Sequence, residues 1–209
     1  MCSLFSSTLP PEALVRLFAI AGPVPNLPPF DEVWPGYDAP VVLAGSQGRH
    51  VQVMRWGFLF TQKGRAAKPV GNARDDKLDG FFWRSSFQSR RCLVPVTRFA
   101  EPDLVRKWKQ KHWFSVSGAE GFALAGLWRH WQGVLKGEQV EIETMAFVTT
   151  TANALVRPIH PERMPVILGP SAYDTWLTGP LDAARALIRP FAPDRMLHES
   201  DQPAQARLL

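Results

Sequence analysis

The segment PPEALVRLFAIAG places apolar residues at helical spacing, with Leu14, Leu17, Phe18 and Ala21 on one face. Pro10 and Pro11 suit a helix start and Gly22 suits its end, so the pattern predicts a helix packed on a core. PVPNLPPF holds too many prolines for a helix or a central strand and predicts an extended surface connection. Beyond it the pattern changes. APVVLAG, HVQVMRWGF, RRCLVPVTRFAE, HWFSVS, FALAGLWRHW and VEIETMAFVTTTA are rich in β-branched and aromatic residues, with glycine-containing turns between them. SGAEG and KGEQ predict hairpin connections. Strands that follow one another through tight links predict antiparallel pairing in a curved sheet or partly closed barrel. Ser171 and Asp174 predict a capped helix over AYDTWL, and LDAARALI predicts another. The polar run ESDQPAQARLL predicts a loose tail. The sum is one α+β domain over residues 1–198, a curved antiparallel β-barrel-like core flanked by helices, with a polar tail at 199–209.

Composition narrows the function. A chain of 209 residues suits one β-rich domain, and eight tryptophans and thirteen phenylalanines supply a substantial core. No stretch approaches the roughly 20 apolar residues of a membrane span, and the start lacks the pattern of a signal peptide. A cytoplasmic monomer is the expectation. Two cysteines in an unsecreted chain make a disulfide improbable. The five histidines lie scattered without metal-ligand spacing, so neither a metal nor a cofactor is expected. Walker A, G-x-G-x-x-G and G-x-S-x-G motifs are all absent. The net charge of +5 suits a phosphate-bearing partner, and equally suits plain solubility.

Four places carry candidate chemistry, each beside a structural alternative. Cys2, once Met1 is removed, bears an amine and a thiol on adjacent carbons. The amine can attack an aldehyde to give an imine, and the thiol can then close a five-membered thiazolidine ring; alternatively, position 2 is only a chain end. In PVGNARDD, Asn72 offers an amide donor and acceptor, and Arg74 a fork for phosphate; the alternative is an ordinary loop. An apolar run delivers Glu101, whose carboxyl can shuttle protons if its pKa is raised, or which is a salt-bridged surface residue. His160 sits in a segment stiffened by Pro158, Pro161 and Pro165 and titrates near neutrality, unless it is a packed structural histidine. Cys92, inside RCLVPV, reads as a small buried apolar residue.

Taken in order, these segments resemble the SOS-response-associated peptidase (SRAP) family. The resemblance rests on MC at the start, MRWG at 54–57, GNAR at 71–74, RCLVPVTRFAE at 91–101, and TTTAN with IHPERMPVIL within 149–168. It implies a mixed α+β fold with a barrel-like centre and a basic cleft for single-stranded DNA containing abasic sites. Cys2, freed from Met1 by autoproteolysis, would form a thiazolidine DNA–protein crosslink. Asn72 would orient the amine and the sugar, Glu101 would move protons, and His160 would promote opening of the sugar ring. Arg74 and Arg163 would contact DNA, and the protein would associate with the nucleoid when bound. Trp56 and Phe58 are candidates to stack in the gap left by the missing base, a contact worth about 1–3 kcal/mol. Ser3 and Leu4 replace the family's glycine and arginine, Pro102 replaces an aromatic residue, and H-P-E-R-M-P is one residue longer than the usual histidine motif. Two other readings remain: an N-terminal-nucleophile peptidase acting in trans through Cys2 and His160, and a non-catalytic module for single-stranded DNA.

Overall fold

The computed structural model describes residues 2–60, 67–105, 108–135 and 137–200. The elements run β1 (Leu4–Ser7), α1 (Pro11–Phe18), β2 (Phe30–Val33), β3 (Asp38–Gly45), β4 (Gly48–Trp56), β5 (Phe58–Phe60), β6 (Lys68–Val70) and β7 (Asn72–Arg74). They continue through α2 (Arg84–Ser89), β8 (Arg91–Val96), β9 (Arg98–Asp103), β10 (Trp108–Val116), β11 (Phe122–Leu135), β12 (Glu138–Thr151), β13 (Arg163–Pro165) and β14 (Ile167–Leu168). The chain closes with α3 (Tyr173–Thr178), α4 (Leu181–Ala186) and β15 (Met196–Ser200).

Hydrogen bonding closes a five-stranded barrel in the order β4-β3-β8-β11-β12 and back to β4. The α+β barrel expected from the alternating strands is therefore present, with one difference. The closing seam is parallel, pairing Thr144 with Arg55 and Met145 with Trp56. Gly57 makes this possible: at φ 115° it turns the chain just past the seam and donates its N–H to Met145 O at 2.7 Å. A second sheet, antiparallel throughout, has the order β15-β10-β9-β1-β2.

Strand alternation gives the barrel two apolar faces. Val41, Met54, Trp56, Val94, Leu124 and Phe147 share a core with Phe5, Phe99 and Phe114 of the second sheet. Val42, Leu93, Ala125, Ala146 and Val148 on the opposite face pack with Leu14, Phe18, Phe87 and Trp176 of the helices.

Three local expectations are revised. Helix α1 ends at Phe18, before Ala21 and Gly22, because Ala19 adopts a left-handed conformation (φ 50°) and Ile20 bridges to Arg49. Ala21 is exposed rather than part of the apolar face. The segment SGAEG is not a hairpin: β10 and β11 on either side of it belong to different sheets. KGEQ does join paired strands, with Leu135 opposite Glu138 and Gly137 at φ 90°. At the C-terminus β15 runs to Ser200, two residues into the stretch read as tail, because Glu199 and Ser200 pair with Trp113 and His112. The rest of that tail, 201–209, lies outside the described residues.

Candidate active site at the amino terminus

The run RRCLVPVTRFAE is one apolar segment in sequence and two strands in space. β8 belongs to the barrel and β9 to the second sheet, with Thr97 between them. β9 is flanked by β1 on one side and β10 on the other, and Leu4 pairs with Ala100. This register carries Glu101 to the end of β1 where Cys2 lies. Beyond the carboxylate, Leu104 N donates to Ile159 O at 3.0 Å, tying the end of β9 to the loop that carries His160. That loop is braced by Asn153, whose Oδ1 accepts from Leu155 N and Val156 N and whose Nδ2 donates to Phe191 O.

Asn72 arrives from another direction. β7 lies parallel to β12, with Asn72 opposite Phe147. Asn72 Nδ2 donates to the Cys2 carbonyl at 2.8 Å, and its Oδ1 is buried without a partner among the described residues. Gly71 fixes this approach. It accepts a 2.9 Å hydrogen bond from Trp56 Nε1, and a Cβ on it would lie 2.5 Å from that nitrogen. Gly71→Ala is therefore expected to cost about 1–3 kcal/mol through overpacking. A urea melt of the variant checks this, and an unchanged midpoint would show that Trp56 yields freely.

The reactive groups are almost dry. Cys2 and Glu101 are each 1% exposed. Burial, and then the neighbouring Glu101, push the Cys2 thiol well above its ordinary pKa. It is a neutral donor, with Leu4 O and Ala100 O at 3.4 and 3.5 Å. Burial lifts the Glu101 carboxyl to about 8, against the smaller opposing pull of the positive amino terminus. Both of its oxygens lack a hydrogen-bond partner among the described residues. Burial, followed by the same terminal charge, lowers the His160 pKa, so the ring is neutral at neutral pH. His160 Nδ1 faces the Arg163 N–H at 3.3 Å and acts as acceptor, which assigns the ring proton to Nε2. The site thus combines an uncharged thiol, a carboxyl that is an acid or a base near neutrality, and a neutral imidazole.

Two expected stacking residues are elsewhere. Trp56 and Phe58 are fully buried. Trp56 packs against Phe5 and Phe147 with ring centroids 4.9 and 5.1 Å away, and Phe58 lies 4.8 Å from Trp83 with Arg129 over its ring. Neither offers a face to a base; the exposed aromatic residues include Tyr37, Phe60 and Phe81. In MRWGF, Met54, Trp56 and Phe58 alternate with Arg55 and Gly57, the pattern of core positions. Arg163 is also committed internally. It is buried, donates to Thr149 Oγ1 at 3.0 Å and to Asp75 Oδ1 at 2.7 Å, and is not presented to DNA. Arg74 is exposed, with its guanidinium forked onto Asp76 by two 2.9 Å bonds. Cys92 is buried as expected. Among the described residues no helix is long and apolar enough to cross a membrane, and no cluster of three or more His, Cys, Asp or Glu is arranged to hold a metal ion.

A five-stranded closed barrel and a second sheet define a small single α+β domain, with the candidate residues Asn72 and Glu101 beside Cys2. The chain matches the SOS response associated peptidase (SRAP) family over residues 1–200, and it belongs to that family. A protein from Bordetella bronchiseptica superposes with a TM-score of 0.78 at 24% identity, covering 96% of this chain and 100% of the other. One from Bacteroides thetaiotaomicron gives 0.79 at 22% identity, covering 97% and 93%. A phage-related protein from B. bronchiseptica gives 0.72 at 21%, covering 95% and 93%. These likenesses show the fold. No curated protein matches the chain.

Proposed function

We propose that this protein captures abasic sites in single-stranded DNA as a covalent thiazolidine through Cys2, after autoproteolytic removal of Met1. The observation that carries the reading is the junction at residue 2. Asn72 holds the Cys2 carbonyl, and the buried Glu101 carboxyl acts electrostatically on the Cys2 thiol. An abasic site exposes an aldehyde. The Cys2 amine attacks it, Glu101 protonates the departing hydroxyl as the imine forms, and the thiol adds to the imine carbon. Asn72 orients residue 2. His160, with its proton on Nε2, hydrogen-bonds the sugar ring oxygen while the anomeric hydroxyl proton passes to that oxygen through water as the ring opens.

The reading is tested with a single-stranded oligonucleotide whose one uracil has been excised. The expected product is a heat-stable protein–DNA band, accompanied by an intact mass that lacks Met1. Retention of Met1 together with the absence of a band overturns the reading. Multiple turnover of a peptide library would instead support a peptidase acting in trans.

Arg74 supplies a second expectation. Its fork is satisfied by Asp76, which is itself held below the ordinary carboxyl range by that hydrogen bond. Asp76→Asn frees the guanidinium for phosphate. DNA binding should tighten, and the log–log salt dependence should steepen by about 0.7. Fluorescence anisotropy across a salt series measures both, and an unchanged slope removes Arg74 from the phosphate contact.

A further inference from the structure

One polar row on the second sheet is not used by the chemistry above. Glu101 stands directly opposite His112 across the β9–β10 ladder, and Asp103 is two residues further along the same face. Asp103 and His112 are both buried, with His112 Nε2 3.6 Å from Asp103 Oδ2. His112 Nδ1 is 2.9 Å from Nε2 of His198 on β15, and the two rings stack with centroids 5.1 Å apart. His198 also stacks on Phe114 and is solvent-exposed. The row therefore runs from a buried carboxyl through one buried imidazole to an exposed one. Lys111 and Glu199 occupy alternate positions on these strands, facing the other side, and Lys111 pairs with Glu32.

Resting on the crosslinking reading, we propose that His112 and His198 form a proton exit that connects Glu101 to solvent behind the DNA. The stoichiometry requires one. An α-ammonium, a thiol and an aldehyde form one C–N and one C–S bond, expel the aldehyde oxygen as water, and leave one proton over. Cys2 and Glu101 are each 1% exposed, which leaves them little direct route to solvent. Glu101, which holds a proton at rest, first passes it through a bridging water to His112 Nε2, and the carboxylate so formed takes the surplus proton from the ammonium. His112 then releases its Nδ1 proton to His198 Nε2, and His198 releases its Nδ1 proton to water. His112 Nε2, which has no hydrogen-bond partner among the described residues, is the receiving end. Neither histidine touches the reacting atoms, so both act through Glu101.

His198→Phe keeps a ring stacked on Phe114 and removes the nitrogens. It should slow crosslinking at neutral pH about tenfold without lowering the final yield, a modest share of the usual contribution of a positioned proton carrier. His198→Ala should slow it equally and recover with added imidazole. The rate of His112→Asn/His198→Phe should match that of the slower single variant, as for members of one chain. Rates for both His198 variants within twofold of the parent across pH 6 to 9 overturn the exit. A readout without DNA separates this failure from failure of the crosslinking reading. In ¹⁵N-edited NMR, exchange of the His112 ring proton with water should slow about tenfold in His198→Phe. Faster or unchanged exchange makes His198 a mere cover and overturns the exit, whether or not crosslinks form.

Discussion

Cys2→Ala is expected to abolish the heat-stable DNA adduct and to leave an adduct that appears only when a reductant is added. The alanine variant lacks the thiol that would remove Met1, so it is first trimmed with a methionine aminopeptidase. It then has an α-amine at residue 2, an imine with the aldehyde still forms, and hydrolysis reverses it unless borohydride traps it. The thiol makes the adduct permanent by closing a five-membered ring, an intramolecular step with an effective molarity of roughly 10⁵–10⁸ M when well oriented. The order of attack follows from the site. The Cys2 thiol is buried, neutral and within hydrogen-bonding reach of Leu4 O and Ala100 O, which makes it a poor first nucleophile. The amine goes first and the sulfur second. Denaturing gels with and without borohydride read both steps, and a heat-stable band from Cys2→Ala without reductant would assign the chemistry to another residue.

Glu101→Gln is expected to slow crosslinking by about 10²–10⁴-fold, the usual range for a lost general acid–base group. The same substitution should stabilise the protein in alkali. The folded carboxyl titrates near 8, far above the ordinary carboxyl value. Between those two values the unfolded chain has released a proton that the folded chain retains. Stability therefore falls as pH rises through that window, by about 1.4 kcal/mol per unit. Glutamine has the same shape and nothing to ionise. The variant should gain on the parent by on the order of 4 kcal/mol between pH 5 and pH 8.5. Urea melts at the two pH values measure this, and a constant difference would put the Glu101 carboxyl in the ordinary range. The parent's crosslinking rate should also decline above about pH 8, where the acid form of Glu101 is lost.

Strand and helix positions are legible in the chain because apolar alternation is local: APVVLAG and VEIETMAFVTTTA lie on β3 and β12 as the pattern predicts. The candidate residues are legible because MC, GNAR, RFAE and IHPERMP form an ordered set of the kind the family carries. Alternation does not say which sheet a strand joins. RRCLVPVTRFAE reads as one run, yet its two halves enter different sheets, and that division carries Glu101 from the barrel to the end of β1. Nor does a ring's chemistry reveal its exposure: Trp56 and Phe58 can stack on a base in principle, but Phe5 and Phe147 bury the first and Trp83 and Arg129 the second.

His112 and His198 are 86 residues apart and match no spacing rule, so only the pairing of β10 with β15 sets their nitrogens 2.9 Å apart. What the sequence by itself determined was the set of chemical groups and the periods of the elements, both of which depend on near neighbours. The tertiary structure alone decided which groups lose water and which meet, because desolvation and long-range register arise from contacts between distant segments. Those contacts keep a proton on the Glu101 carboxyl at neutral pH and bring Asn72 to the carbonyl of Cys2.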